Sequence, residues 1–294
     1  MTAPVERHMT FTVPPLRAPS VDAMISVGMS TSCAYPLGLD SAFELSREVG
    51  FDGVEIMVTN DPATHRVERL LELSQQTSQP ILSIHAPVLL LTHFVWGRDP
   101  RVKLERSAEL AVAVGAPTVV AHPPFRWQGA YAERFLDIVR AVGDRYGVTV
   151  AIENMFPWKI AGRSMKMYAP GWDPSTMDCD AATLDFSHAS LSGRDSLELA
   201  RALDTRLRHV HLCDGSRASD DGGVFDEHLV PGHGVEPVDA VLNELAARGW
   251  SGSVIAEINT RKAGTQDARV AMMRETLEYA RDALVVPRLH RLTA

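Results

Sequence analysis

The stretch VTVAIEN, residues 148–154, decides the fold that we predict for this chain. It is a short run rich in Val and Ile, which is typical of a buried strand. Because strand side chains alternate between two faces, Val150 and Ile152 are predicted to face helices, and Ala151 and Glu153 to face inward. Similar runs recur roughly every 30 residues, separated by amphipathic helical stretches, and this rhythm indicates repeated βα units.

Eight such runs are present, which is the number of strands that closes a TIM barrel. They are MISVGM (24–29), GVEIMV (53–58), ILSIHA (81–86), TVVAHP (118–123), VTVAIEN (148–154), ATLDFSH (182–188), RHVHLCD (208–214) and SVIAEIN (253–259). Several helical stretches between them, such as DSAFELSREVG (40–50), end in Gly, a common helix stop. The sequence therefore predicts the α/β class and a single (β/α)8 TIM barrel over residues 23–294, after a flexible, proline-rich N-terminal arm at residues 1–22.

The composition is ordinary for a folded protein, with 45% hydrophobic and 22% charged residues among 294. Lys and Arg number 29 against 37 Asp and Glu, which gives a formal net charge of -8. This balance provides no global attraction to nucleic acid or to an anionic membrane, and no apolar run is long enough to span a bilayer. The three cysteines, Cys33, Cys179 and Cys213, have no paired spacing, which predicts reduced thiols and a cytoplasmic protein.

Polar residues occupy inward positions at the carboxyl ends of several predicted strands. Four of them are predicted to meet at the barrel mouth where TIM-barrel active sites are built: Glu153, Asp185, His211 and Glu257. Three carboxylates cannot share a small, partly desolvated space as bare charges. A divalent cation removes the repulsion, so their convergence predicts a metal site. A single inward His is otherwise explained as a hydrogen-bonded core residue, and a single Glu as the partner of an Arg across the barrel.

Other polar residues near the strand ends are less specific. His85 and His122 end the third and fourth strands and extend the inward set. Glu55 points inward on the second strand, where either a substrate contact or an internal ion pair explains it. Cys33 and Cys213 also lie near strand ends and are interpreted as inert packing residues.

Two long loops interrupt the regular alternation of predicted strands and helices after the fifth and seventh strands, at residues 155–180 and 215–237. Long loops at this end of a barrel are commonly functional, and flexible insertions are the alternative. Residues 155–179 of the first loop, which include Trp158 and Trp172, are predicted to form a mobile lid over a small polar substrate. The second contains FDEHLVPGHG (225–234). Solvation explains its charges but not its two histidines, whereas a metal site explains both.

The ordered motifs SIHAP, AHPPF, IENMFP, LDFSHA, HVHLCDGSR, DEHLVPGHG and AEIN resemble those of the xylose isomerase-like TIM-barrel superfamily. This superfamily joins sugar phosphate isomerases and epimerases to the endonuclease IV enzymes of AP endonuclease family 2. The resemblance runs from about the first strand to the last helix, and it implies the same barrel fold.

The epimerase branch implies one Mn²⁺, Mg²⁺ or Co²⁺ held by the four residues at the mouth. Glu153 and Glu257 would then be the catalytic acid and base, and His188 and Arg217 would bind substrate. The endonuclease IV branch implies a Zn²⁺ cluster with nine ligands, and all nine have counterparts here: His85, His122, Glu153, Asp185, His188, His211, Asp226, His228 and Glu257. The stretch HAPVLLLTH (85–93) departs from that branch because it lacks the Tyr that enters DNA.

The favoured function is therefore a divalent-metal-dependent isomerase or epimerase of a sugar, cyclitol or related polyol, phosphorylated or not. The alternative is a trinuclear zinc phosphodiesterase or AP endonuclease, whose partner would be nucleic acid, and a second alternative is a non-catalytic ligand-binding barrel. Metal count separates them, because one metal favours isomerisation, three favour hydrolysis and none favours the binding barrel. Substrate identity and oligomeric state are left open.

Overall fold

A computed structural model describes residues 25–87, 92, 94–160, 163–216 and 226–285 of the chain. Its strands are β1 (Ser26–Ser30), β2 (Val54–Met57), β3 (Ile81–His85), β4 (Thr118–Ala121), β5 (Thr149–Glu153), β6 (Trp158–Ile160), β7 (Arg163–Met165), β8 (Ala182–Asp185), β9 (Leu207–Leu212) and β10 (Ser253–Ala256). All except β6 and β7 form a closed barrel of parallel strands in the order β1-β10-β9-β8-β5-β4-β3-β2. The predicted (β/α)8 barrel is thus confirmed, and the predicted N-terminal arm lies outside the described residues.

Helices alternate with the barrel strands along most of the chain. They are α1 (Leu39–Val49), α2 (Val67–Thr77), α3 (Pro100–Val114), α4 (Ala130–Glu133), α5 (Phe135–Tyr146), α6 (Phe186–Ser192), α7 (Ser196–Leu203), α8 (Val238–Ala247) and α9 (Gln266–Leu284). As the sequence predicts, α1, α3 and α5 each end at a left-handed glycine: Gly50, Gly115 and Gly147. In the described part of the chain, no helix has the length and apolarity needed to cross a membrane.

The predicted inward and outward directions of the side chains on the fifth strand are confirmed by the residues that they contact. Val150 and Ile152 are buried in an apolar cluster that includes Leu104 of α3 and Ile138 of α5. Glu153 faces the other way and contacts histidines from β3 and β9 inside the barrel. The same alternation operates on the other strands, so polar side chains collect inside the barrel while the helices cover its apolar outer surface.

The sixth predicted strand, 182–188, is shorter in the structure than predicted. β8 ends at Asp185 and α6 begins at Phe186. The reason is that Asp185 Oδ1 accepts a hydrogen bond of 2.7 Å from the backbone N–H of His188, which caps the helix. His188 therefore lies in the first turn of a helix instead of on a strand.

The connection from β5 to β8 contains no α-helix among its described residues, and the β6–β7 hairpin takes that place. Two backbone hydrogen bonds attach this loop to the loop after β4, from Arg126 N to Met167 O (2.8 Å) and from Ala169 N to Pro124 O (2.9 Å). The rings of Phe125 and Tyr168 stack between the two segments. The loops after β4 and β5 therefore form one wall at the barrel mouth.

Candidate metal centre

The four residues predicted to meet at the mouth do so. Glu153 ends β5, Asp185 ends β8, His211 lies on β9 and Glu257 directly follows β10. Each offers a potential ligand atom, and these atoms all lie within 4.8 Å of one another. The Nδ1 atom of His211 lies 2.9 Å from Glu257 Oε2 and 3.2 Å from Glu153 Oε1. Three carboxylates and one imidazole at this spacing fit a divalent cation.

Electrostatics supports the fit, because the buried carboxylates require a positive charge beside them. Burial would raise the pKa of Glu153, but the imidazoles of His122 and His211 hold it well below its usual range. Burial would likewise lower the pKa of His211, but the carboxylates of Glu257, Glu55 and Glu153 hold it well above its usual range. The raised pKa of His211 favours its protonated form beside these carboxylates when no metal is bound, and a divalent cation would supply the positive charge in its place.

Two further histidines contact Glu153 from the β3 and β4 side. His85 Nε2 lies 3.2 Å and His122 Nε2 lies 2.8 Å from Glu153 Oε2. The other ring nitrogen of His85, Nδ1, lies 3.0 Å from the carbonyl oxygen of Ala86. Both histidines therefore present a nitrogen to the carboxylate, which agrees with the prediction that their side chains point into the barrel.

A second set forms where α6 meets the loop after β9. His188 Nε2 and His228 Nε2 both lie 3.0 Å from Asp226 Oδ2. Their Nδ1 atoms contact backbone carbonyls, Asn154 O at 2.9 Å and Glu257 O at 2.7 Å. Donation from Nδ1 to a carbonyl is the arrangement that frees Nε2 to bind metal. These three residues can therefore hold a cation of their own.

The loop that carries Asp226 and His228 is held by the buried carboxylate of Asp214. Its two oxygens accept four backbone N–H bonds of 2.8–3.1 Å, from Gly215, Gly232, Gly234 and Glu236. A side chain at Gly234 would collide with Asp214 Oδ1, so this close approach requires glycine. His233 lies on the surface beside Glu275, outside the candidate ligand set.

Comparison with known proteins identifies the family. The sequence model of the family described as "Xylose isomerase-like TIM barrel" matches residues 43–283, most of the chain. The chain belongs to this family. An uncharacterized protein of Mycobacterium tuberculosis is 41% identical over 280 residues, covering 89% of this chain and 98% of that protein. Fructoselysine 3-epimerase of Escherichia coli O157:H7 is 22% identical over 283 residues, covering 88% of this chain and 96% of that protein.

Solved structures share the fold of this xylose isomerase-like barrel. A D-tagatose 3-epimerase-like protein superposes with a TM-score of 0.62 at 23% identity, covering 89% of this chain and 100% of that chain. The IOLI protein, solved with a binding zinc atom, superposes with a TM-score of 0.61 at 19% identity, covering 88% and 96%. The predicted family resemblance is therefore confirmed, with relatives named as sugar epimerases.

Several residues of this xylose isomerase-like site were not predicted. Ser32 Oγ lies 3.3 Å from Glu257 Oε1, and Ser187 Oγ donates to Asp226 Oδ1 at 2.7 Å. The side-chain amide of Asn154 pairs with the backbone of Asp185 in both directions. Serine and asparagine are common in loops, so the sequence contained no specific signal for them. Arg217, predicted to bind substrate, lies outside the described residues.

Proposed function

We propose that this protein is a divalent-metal-dependent epimerase or isomerase of a sugar, cyclitol or related polyol, and that it moves a proton at the carbon next to a carbonyl. The supporting observation is that Glu153 and Glu257, which come from different strand ends, both approach Nδ1 of His211 within one group of four potential ligands. Relatives named as epimerases and a zinc-bearing neighbour of the same fold agree with it.

Glu153 and Glu257 are the proposed acid–base pair. A bound Mn²⁺, Mg²⁺ or Co²⁺ would polarise the substrate carbonyl and stabilise the charge that develops on its oxygen. One glutamate removes the proton from one face of the carbon, and the other returns a proton to the opposite face. His188 and Arg217 are proposed to hold substrate hydroxyls.

The loop after β5 is proposed to exclude water from this reaction. The ring of Phe156 lies 5.1 Å from that of His188, and the buried Tyr168 contacts Trp158 through its hydroxyl. Apolar walls of this kind lower the local dielectric and strengthen the interaction of the carboxylates with their partners. The expected partner is therefore a small polar molecule.

Deuterium exchange tests the proposal even while the substrate is unidentified. Metal-loaded protein is incubated in D₂O with a panel of ketoses, ketose phosphates and inososes, and proton NMR monitors the hydrogen beside each carbonyl. We expect metal-dependent exchange with at least one compound, and a large loss of it in Glu257→Gln. If no compound of the panel exchanges while metal occupies the central site, that result would count against an epimerase.

A zinc phosphodiesterase is the second candidate, because the set His188, Asp226 and His228 offers a further site in which two Nε2 atoms meet one carboxylate oxygen. Clustered Zn²⁺ ions stabilise both the attacking and the leaving oxygen of a phosphodiester. Three tightly bound zinc ions, together with cleavage of an abasic-site oligonucleotide, would place this function first.

A further inference from the structure

The barrel interior is polar just below the candidate metal centre. Layers of branched apolar side chains normally fill a TIM barrel at this depth, yet Glu55, Ser83 and His209 are all fully buried here. Glu55 Oε2 accepts a hydrogen bond from Ser83 Oγ at 2.7 Å and lies 2.9 Å from His209 Nε2. A charged group is costly to bury, so its presence needs a role other than packing.

The other oxygen of Glu55 faces the candidate ligand His211. Glu55 Oε1 lies 3.1 Å from His211 Nε2. Both atoms are buried and neither makes a hydrogen bond of standard geometry among the described residues, so this 3.1 Å ion-pair contact is the polar contact that joins them. On its opposite edge, the imidazole directs Nδ1 at Glu257 and Glu153. The ring thus connects a buried carboxylate on one side to the proposed metal ligands on the other.

We propose that Glu55 is a positioning residue: its carboxylate keeps a proton on His211 Nε2, so that the Nδ1 lone pair faces the divalent cation. This inference rests on the metal site of the proposed function. A ligating histidine generally donates its second nitrogen to an acceptor. For His85, His188 and His228 the acceptor is a backbone carbonyl, whereas the acceptor facing His211 Nε2 is a carboxylate. A carboxylate is the stronger acceptor and makes the imidazole a more basic ligand, which tightens metal binding.

Metal affinity tests this role without any substrate. Dissociation constants for Mn²⁺ and Zn²⁺ are measured by chelator competition in the wild type, in Glu55→Gln and in the control Ser83→Ala. We expect Glu55→Gln to weaken binding at the central site by about 10–100-fold. Ser83→Ala removes a neutral donor to the same carboxylate without touching His211, so the affinity should stay within about threefold. Wild-type affinity in Glu55→Gln would overturn the proposal.

Nitrogen NMR gives a second readout that does not depend on a variant that folds. Long-range proton–nitrogen correlations of ¹⁵N-histidine-labelled, Zn²⁺-loaded wild type should show His211 protonated at Nε2 and metal-shifted at Nδ1. Zinc at Nε2 would overturn the proposal. So would the loss of a separate metal equivalent in Glu55→Gln with the central affinity unchanged, because Glu55 would then be a ligand. A failed epimerase assay leaves these readouts intact, whereas wild type that binds no metal would overturn both proposals.

Discussion

Glu153 is the residue on which the candidate centre converges. Its two oxygens lie 2.8–3.2 Å from ring nitrogens of four histidines: His85, His122, His188 and His211. A substitution at Glu153 therefore disturbs every potential metal position at once and cannot assign a role to any one of them. Glu257 contacts the central group mainly through His211 and Ser32, so it is the sharper probe.

Glu257→Gln keeps the size of the side chain but removes its charge and basicity. We expect it to weaken metal binding and to slow proton exchange in the active substrate by about 100–10,000-fold, because a general base would be lost. Deuterium exchange by NMR measures the rate. The control Glu275→Gln changes an exposed glutamate beside His233 and should leave exchange unchanged. Full activity in Glu257→Gln would remove that residue from the acid–base pair.

The double change Asp226→Ala with His228→Ala distinguishes a site with one metal ion from a cluster of several. We expect it to abolish binding of a weaker, additional Zn²⁺ while the group around His211 stays filled, because His188 would keep no metal-binding partner from the loop. Elemental analysis at graded zinc concentrations measures the count. One equivalent before and after the change would end the idea of a cluster and leave a mononuclear site.

Strand period explains which site residues could be predicted from the sequence. Glu153, Asp185, His211 and Glu257 lie at positions where alternation along a strand fixes the inward direction. Ser32, Asn154 and Asp214 could not be found in this way, because their contacts join segments whose relative placement depends on the whole barrel. The boundary error at residues 185–188 has a local cause, since an aspartate at the end of a strand also serves as a helix cap.

At the level of elements, the loop after β9 owes its shape to Asp214, so Asp214→Asn should disorder it. Each of the two carboxylate oxygens accepts two backbone N–H bonds. In Asp214→Asn, either orientation of the side-chain amide replaces one of these acceptor oxygens by an NH₂ group, which would face two N–H donors. We expect a loss of about 1–3 kcal/mol in unfolding free energy, with faster amide exchange at Gly232 and Gly234. Asp178→Asn, at a side chain that is 95% exposed, is the matched control and should change neither.

If residues 155–179 form a lid that closes over bound ligand, hydrogen exchange in this region should change on binding. Opening of this loop must break the bonds from Arg126 N and Ala169 N, which tie it to the loop after β4. We expect both amides to become more protected when metal and substrate are bound. The amide of Gly147, at the other end of the barrel, should not respond. Equal exchange of all three with and without ligand would argue for a rigid wall.

For the whole molecule, the charge cluster predicts an unusual pH profile of stability. Burial would lower the pKa values of His188, His211 and His228 from 6.5, but neighbouring carboxylates hold them well above it. Their contribution to metal-free stability is thus fully present below pH 6.5 and is lost as the pH rises through the folded pKa values. We expect the metal-free melting temperature to fall from pH 6.5 into mildly alkaline buffer.

Saturating Mn²⁺ should reduce this fall, because the cation binds deprotonated His211 in the central group and replaces its positive charge. Differential scanning calorimetry with and without metal measures both curves. His233→Ala removes an exposed imidazole outside the centre and should not alter either curve. A metal-free melting temperature that rises with alkalinity would show that the histidines are not charged in the folded chain.

The barrel closes by pairing its first strand with its last, from Ser26 opposite Ser253 to Met29 opposite Ala256, so closure requires nearly the whole chain. A nascent chain on the ribosome acquires Glu153, Asp185 and His211 well before Glu257, and until β10 is made the sheet has two open edges that can pair with other chains. We therefore expect metal to enter only a finished barrel. The time at which the ion binds is then set by the completion of the chain, since Glu257 directly follows the last barrel strand.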